Sequence, residues 1–195
     1  LTLALGLLLS CQHPPAPARS APAPSAPAAP QPQPDAPEVA KPAEPAGPAI
    51  PNYGMGHQAR WGEAAGITYL EVVQGGAKFE DELPIIVAIH GLGDRPENFY
   101  GLLAPFGQKV RVILPRGLDE HNDGWSWFPI RARDPDVDKL AAGIGSAADK
   151  LVVAIDELSK KHARPDDARV IMTGFSQGGM LSFTVATKAP ELFDF

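Results

Sequence analysis

The chain has 195 residues and carries 17 Lys and Arg against 23 Asp and Glu, which gives a formal net charge of −6. This acidic balance, without any basic stripe, argues against a nucleic-acid partner. A single cysteine, Cys11, excludes an internal disulfide. The sequence also contains no phosphate-binding loop, no Cys/His metal spacing and no internal repeat.

The first eleven residues carry a targeting pattern. Residues 1–9 form an apolar run that is too short to span a bilayer but suits the core of a signal peptide. No initiator Met or basic region precedes it, so we expect this end to be clipped. The run closes on Leu8-Leu9-Ser10-Cys11, which resembles a bacterial lipobox, in which the cysteine is acylated. Residues 1–11 are thus predicted to be a signal peptide with Cys11 as the lipid attachment site, and the protein to be lipid-anchored to a membrane of the bacterial cell envelope. The alternative is an ordinary secretory signal with an incidental cysteine and a secreted protein.

Residues 12–51 are rich in proline and alanine. Fourteen of the 22 prolines lie here, and no apolar periodicity is present. Such a composition cannot bury enough surface to fold and favours extended polyproline conformations, so we predict a disordered linker. At about 3.1 Å per residue it would reach on the order of 100 Å from a membrane. The sequence is equally compatible with a linker that serves as a spacer and with a low-complexity linker that has no function.

Residues 52–195 are long enough for one domain and show strands alternating with helices. Alternation of this kind predicts a doubly wound, mostly parallel α/β sheet. The middle helix has the strongest periodicity. Its apolar residues recur at intervals of three and four, at Leu140, Ile144, Ala147, Leu151, Ile155 and Leu158. Strands are predicted at residues 67–73, 85–89, 110–114 and 170–173, and helices at residues 96–106, 137–162 and 179–189.

The apolar run at residues 83–89 leads into His90-Gly91-Leu92-Gly93-Asp94. A continuous apolar run predicts a strand buried on both faces, and the glycines that follow allow main chain to approach another group closely. His90 is interpreted as a structural histidine bonded to nearby backbone. A role for it as a catalytic base is the less favoured alternative.

The segment Trp125-Ser126-Trp127-Phe128 places two of the three tryptophans in one predicted loop. Trp127 and Phe128 are candidates for substrate binding in an acyl pocket, and coverage of the core by amphipathic rings is an equal alternative. The polar residues 119–123 before them are interpreted as a solvated loop rather than a metal site.

Gly174-Phe175-Ser176-Gln177-Gly178-Gly179 follows a β-branched run and precedes an apolar segment. The pattern predicts a strand, a tight turn with serine at its apex, and a helix. This is the context of a G-x-S-x-G nucleophile elbow, so Ser176 is the candidate nucleophile. An ordinary turn or helix-capping serine is the alternative.

These motifs together resemble the phospholipase/carboxylesterase family of α/β-hydrolases, which includes the acyl-protein thioesterases. The resemblance covers residue 67 to the end and includes Leu114-Pro115-Arg116-Gly117. It implies that the serine attacks esters or thioesters, that the backbone amides of Leu92 and Gln177 form an oxyanion hole, and that no metal or organic cofactor is used. Pro129 departs from the family, which often has Asp after its Trp-Phe pair.

No histidine lies between Ser176 and residue 195, although the fold orders its triad as serine, acid, histidine. Glu191 and Asp194 follow the serine but are expected at the foot of its helix, far from the position of the acid. We therefore expect a C-terminal truncation that omits the acid, the histidine and two or three βα units. The next strand should begin about where residue 195 ends. These residues alone are expected to be inactive, because a serine without its base is a poor nucleophile, or insoluble, because a truncated sheet would expose an apolar edge.

The sequence therefore predicts a serine carboxylesterase or phospholipase acting on a small-molecule or lipid ester. A peptidase or polyester depolymerase on the same fold is one alternative, since the fold does not determine the acyl donor. A surface-displayed binding module without turnover is another.

Overall fold

The computed structural model describes residues 48–129, 135–165 and 168–194. The predicted signal peptide with Cys11, and the linker up to residue 47, lie outside the described residues. At the start of the described part, the carbonyl of Pro48 accepts a hydrogen bond from Trp61 Nε1 at 2.8 Å, and Ile50 packs against the domain core. Contacts with the domain therefore begin before Asn52.

The domain is built on a six-stranded sheet with strand order β1-β2-β4-β3-β7-β8, and a separate hairpin is formed by β5 and β6. The pairs β3–β4, β3–β7 and β7–β8 are parallel, whereas β1–β2 and β2–β4 are antiparallel. The predicted doubly wound, mostly parallel α/β fold is confirmed. The strands are β1 (Gln58–Ala64), β2 (Ile67–Val73), β3 (Ile85–Ile89), β4 (Arg111–Pro115), β5 (Asp119–His121), β6 (Gly124–Ser126), β7 (Val170–Gly174) and β8 (Phe193–Asp194).

Strand β3 is buried on both faces because its side chains alternate between two apolar clusters. Val87 and Ile89 belong to the cluster beneath helices α2 (Val137–Lys161) and α3 (Gln177–Lys188). Ile86 and Ala88 belong to the cluster on the opposite face. Successive side chains of a strand point to opposite faces, so a run without polar residues marks this central position.

Helix α2 begins at its predicted first residue and ends one residue before its predicted last residue. Asp136 caps its N-terminus, because the side chain accepts a hydrogen bond from Lys139 N at 3.0 Å. Helix α3 starts two residues before its predicted start, directly after Ser176. The helix predicted at residues 96–106 was wrong in extent. Only α1 (Pro96–Phe99) is α-helical, and two 3-10 turns follow before Gly107 reverses the chain at φ 67°.

Three strands were missed from the sequence, and the interpretation of residues 119–123 as a loop was wrong for residues 119–121, which form β5. β1 was missed, and β5 and β6 form a hairpin whose turn includes Asn122 at φ 52°. β8 begins at Phe193, slightly before the position expected for the next strand. None of the helices in the described part of the chain is both long and apolar enough to cross a membrane.

Candidate active site

Ser176 lies between the end of β7 and the first residue of α3, with φ 53° and ψ −116°. A positive φ is rarely adopted by a residue with a side chain, and a sparsely populated conformation of this kind costs about 1–3 kcal/mol. The residue is exposed. Its hydroxyl is thus presented at the N-terminus of a helix, where the helix dipole favours negative charge.

The two glycines around the serine have no room for a side chain. A Cβ on Gly174 would lie 2.4 Å from the carbonyl oxygen of Gly178, and a Cβ on Gly178 would lie 2.0 Å from that of Ile89. These neighbours are backbone atoms, which cannot rotate away. The sharp turn from β7 into α3, residues 174–178, is called the bend below. It therefore requires glycine at both ends.

The loop after β3 lies directly against this bend. The N–H of Phe175 donates to the carbonyl of Ile89 at 3.1 Å. A Cβ on Gly91 would lie 3.4 Å from Ser176 Cβ and 3.2 Å from the ring of Phe175. The two glycine-rich motifs, distant in sequence, are therefore adjacent in the fold.

The hairpin holds the next residues of that loop. Gly93 N donates to the carbonyl of Trp125 at 2.8 Å, and Trp125 N donates to the carbonyl of Asp94 at 3.0 Å. Leu92, directly before Gly93, is half-buried and lines a cavity of about 350 Å³. The other lining residues are Asp119, Glu120, His121, Ser126, Phe128 and Pro129.

The side chain of Gln177 is buried beneath the bend. Its Oε1 accepts a hydrogen bond from Trp127 N at 3.1 Å and lies 3.4 Å from Ser126 Oγ, whose hydroxyl donates to the carbonyl of Phe128 at 2.8 Å. Its Nε2 donates to the carbonyl of Phe128 at 3.2 Å. Gln177 is thus hydrogen-bonded to Trp127 and Phe128, the two residues that follow the hairpin.

Trp127 and Phe128 occupy different environments. Trp127 is 1% exposed, packs in the core and donates from its indole N–H to the carbonyl of His90 at 3.0 Å. Phe128 is 2% exposed and also packs against the core, but it lines the cavity beside Leu92.

The sequence profile of the family described as phospholipase/carboxylesterase matches residues 68–193, well over half of the chain. The chain belongs to this family.

Solved structures share the fold. A carboxylesterase from Mesorhizobium loti matches with a TM-score of 0.54 and 18% identity, over 69% of this chain and 60% of that one. Oligopeptidase B from Trypanosoma brucei, with covalently bound antipain, matches with a TM-score of 0.50 and 14% identity, over 71% of this chain and 19% of that one. Esterase PE8 is 21% identical, with a TM-score of 0.47 over 56% of this chain and 54% of its own. This phospholipase/carboxylesterase-family chain thus spans somewhat more than half the length of the two esterases.

His90 of this family member is wholly buried, and both of its ring nitrogens face backbone. Nδ1 lies 2.7 Å from the carbonyl of Gly91, and Nε2 accepts from Gly117 N at 3.1 Å. These partners assign the proton to Nδ1, because a carbonyl only accepts and an N–H only donates. Burial lowers the pKa of His90, opposed by the Gly91 carbonyl and by Asp94. The interpretation of His90 as a structural histidine agrees with this arrangement.

Glu191 and Asp194 lie away from the bend. Asp194 pairs with Ile171, near the start of β7, whereas Ser176 follows its end. Glu191 lies in the 3-10 turn that precedes β8. Across the ranges that the structure covers, no group of three or more His, Cys, Asp or Glu side chains is arranged to hold a metal ion.

Proposed function

We propose that this protein is a serine hydrolase that cleaves carboxylic esters or thioesters through an acyl-enzyme on Ser176. The observation that carries the proposal is the exposed serine held at φ 53° between two glycines that admit no side chain. Strain of this kind persists only where the surrounding structure enforces it, and it is concentrated at functional sites. An ordinary capping serine would need no such backbone, and Ser176 makes no side-chain capping bond.

In the proposed reaction, Ser176 Oγ attacks the carbonyl carbon of the substrate while its proton passes to a base. The carbonyl oxygen becomes negatively charged and is stabilised by the backbone N–H groups of Leu92 and Gln177. Collapse of the tetrahedral intermediate expels the alcohol or thiol, and water then releases the acid from the serine. Family membership and the contact between Gly91 and the bend support the assignment of these two amides.

We propose that the base is a histidine and that a carboxylate orients it. The whole protein supplies both groups, and neither of them belongs to His90, Glu191 or Asp194. His90 already bonds to backbone through both nitrogens. Glu191 and Asp194 follow the C-terminus of α3, and the backbone of Asp194 pairs with the start of β7, at the far end of that strand from the serine. A serine hydroxyl without a base is a poor nucleophile near neutral pH.

The substrate is proposed to be a small-molecule or lipid ester. The cavity beside Leu92, about 350 Å³ in volume and lined in part by Phe128, supports binding of a compact acyl or leaving group. This volume falls at the lower end of the range for small-molecule sites. We assign Phe128 to substrate contact, and Trp127 to support of Phe128 and the His90 loop.

A fluorophosphonate probe tests the proposal on the whole protein. Covalent labelling of Ser176, abolished by Ser176→Ala, is the expected result. Hydrolysis of a p-nitrophenyl ester and of a thioester, with a peptide amide left intact, would place it among esterases rather than peptidases. A folded protein that neither labels nor turns over any of the three substrates would contradict the proposal and favour a binding module.

We further propose that Cys11 is lipidated and anchors the protein to the cell envelope. The lipobox-like sequence Leu8-Leu9-Ser10-Cys11 supports this assignment. Metabolic labelling with an alkyne fatty acid should mark the protein and fail with Cys11→Ser. Labelling that persists in Cys11→Ser would contradict it.

A further inference from the structure

One short segment, residues 125–128, is hydrogen-bonded both to the loop that carries Leu92 and to Gln177, the first residue of α3; we name it the brace. On one side it holds the loop of Leu92. Gly93 N and the carbonyl of Asp94 bond to the backbone of Trp125, and the indole of Trp127 bonds to the carbonyl of His90. The residues on either side of Leu92 are therefore fixed by the brace.

On its other side the brace is hydrogen-bonded to the side chain of Gln177. This residue is 3% exposed; its Oε1 accepts from Trp127 N, and its Nε2 donates to the carbonyl of Phe128. Gln177 is also the residue whose backbone N–H is proposed to contact the oxyanion. The same residue thus carries one amide and fixes the segment that holds the other.

We infer that the Gln177 side chain is a positioning residue, which sets the separation of the Leu92 and Gln177 amides through the brace. The inference rests on the proposed function. Oxyanion donors must lie about 2.7–3.1 Å from the charged oxygen, and a misplacement of about 1 Å can reduce the rate on the order of a hundredfold.

Gln177→Met in the whole protein tests the inference, because methionine keeps the shape and the backbone N–H but removes the brace bonds. We expect kcat for a p-nitrophenyl ester to fall by about tenfold to a hundredfold, with KM almost unchanged. The rate of fluorophosphonate labelling of Ser176 should fall in parallel, since the probe's phosphoryl oxygen occupies the same hole.

Tyr100→Phe is the matched control. It also removes a buried side-chain hydrogen bond, from Tyr100 OH to Gln74 Oε1 at 2.5 Å, but within the cluster on the other face of the sheet. We expect it to lower the free energy of unfolding while kcat stays at the wild-type value. Equal losses of kcat in the two variants would mean a general effect of weakened packing and would overturn the inference.

Gln177→Glu provides a second readout if the methionine variant fails to fold. A carboxylate lacks the donor that Phe128 requires, whereas a protonated carboxyl restores it. The ratio of its kcat to the wild-type kcat should therefore rise as the pH is lowered. A ratio independent of pH would contradict the inference.

The two proposals fail separately. Absence of labelling at Ser176 in the wild-type protein would overturn the proposed function. Labelling of the wild type together with unchanged kcat in Gln177→Met would overturn only the positioning role.

Discussion

Glu71 and Arg111 form an ion pair inside the domain, with side chains that are 1% and 2% exposed. Glu71 also accepts from Arg60 Nε at 2.7 Å. Arg111 NH2 donates to the carbonyls of Phe79 and Asp81 at 2.9 and 3.2 Å. The pair and these partners therefore join β1, β2 and β4 to the chain that leads into β3, at the end of the parallel strands opposite the bend.

Removal of the cation should destabilise the domain strongly. Arg111→Met would leave Glu71 buried with only the partly exposed Arg60 as an ionic partner, and losing one member of a buried pair costs about 3–5 kcal/mol. We expect a decrease near the lower limit of this range, measured by urea unfolding. Lys160→Ala is the control, because it removes an exposed pair with Asp156 and should cost about 0.5 kcal/mol or less. Equal effects of the two substitutions would contradict the prediction.

Acid should weaken the fold through His162. Burial, followed by the charges of Arg111, Lys161 and Arg60, lowers the pKa of His162 to about 4. The imidazole is therefore neutral near pH 7, and its 3.9 Å approach to Glu71 is not a salt bridge there. The unfolded chain, with an ordinary pKa of about 6.5, binds the proton more readily. Stability from this group is complete above about pH 6.5 and is lost as the pH falls toward 4.

The measurement for His162 is urea unfolding at about pH 7.5 and about pH 5. His162→Gln should show a smaller loss of stability between the two conditions than the wild type. Since carboxylates also contribute to acid denaturation, the difference between the two proteins is the quantity to compare. An identical loss in both would exclude His162 as the source.

Gly178→Ala should disrupt the bend. Its methyl group would meet the carbonyl oxygen of Ile89 at 2.0 Å, so β3 and β7 would have to separate. We expect loss of Ser176 labelling together with a lower unfolding temperature. Gly145→Ala is the control, because a Cβ there meets nothing within 4 Å in the middle of α2. That substitution should stabilise the protein by about 0.5–1 kcal/mol and leave labelling intact.

The strain at Ser176 can be measured directly. Ser176→Ala removes the hydroxyl but keeps a side chain at φ 53°, whereas glycine adopts this conformation without cost. Relief of about 1–3 kcal/mol of strain is partly offset by the greater freedom of glycine in the unfolded chain, about 0.4–1 kcal/mol. Ser176→Gly should therefore be more stable than Ser176→Ala by about 1 kcal/mol, in calorimetry or urea unfolding. Equal stabilities would mean an unstrained bend.

Sequence reasoning succeeded where local chemistry determines the structure. The run that became β3 has no polar residue, so it fits only a strand covered on both sides. The bend at Ser176 was predictable because two glycines flank it at the spacing that a sharp strand-to-helix turn requires. Helix α2 was predicted closely because its apolar residues repeat with helical periodicity over its whole length.

Elements that depend on distant partners were missed. β1 is a strand because it pairs with β2 along its full length, and Gly62 leaves room for the ring of Tyr69. The hairpin was hidden by its polar composition, although an Asn at the turn was a weak signal. The contacts of the Gln177 side chain join residues about fifty positions apart, so no local pattern encodes them.

The contact between Gly178 and Ile89 has a consequence for when the protein becomes reactive. The two residues belong to segments that meet only after β3 and β7 have paired. Before that, the Ser176 hydroxyl lacks both the bend and the adjacent loop, and we expect it to react with acyl groups no faster than any other serine. Pairing of β3 with β7 is thus required before the proposed nucleophile becomes reactive.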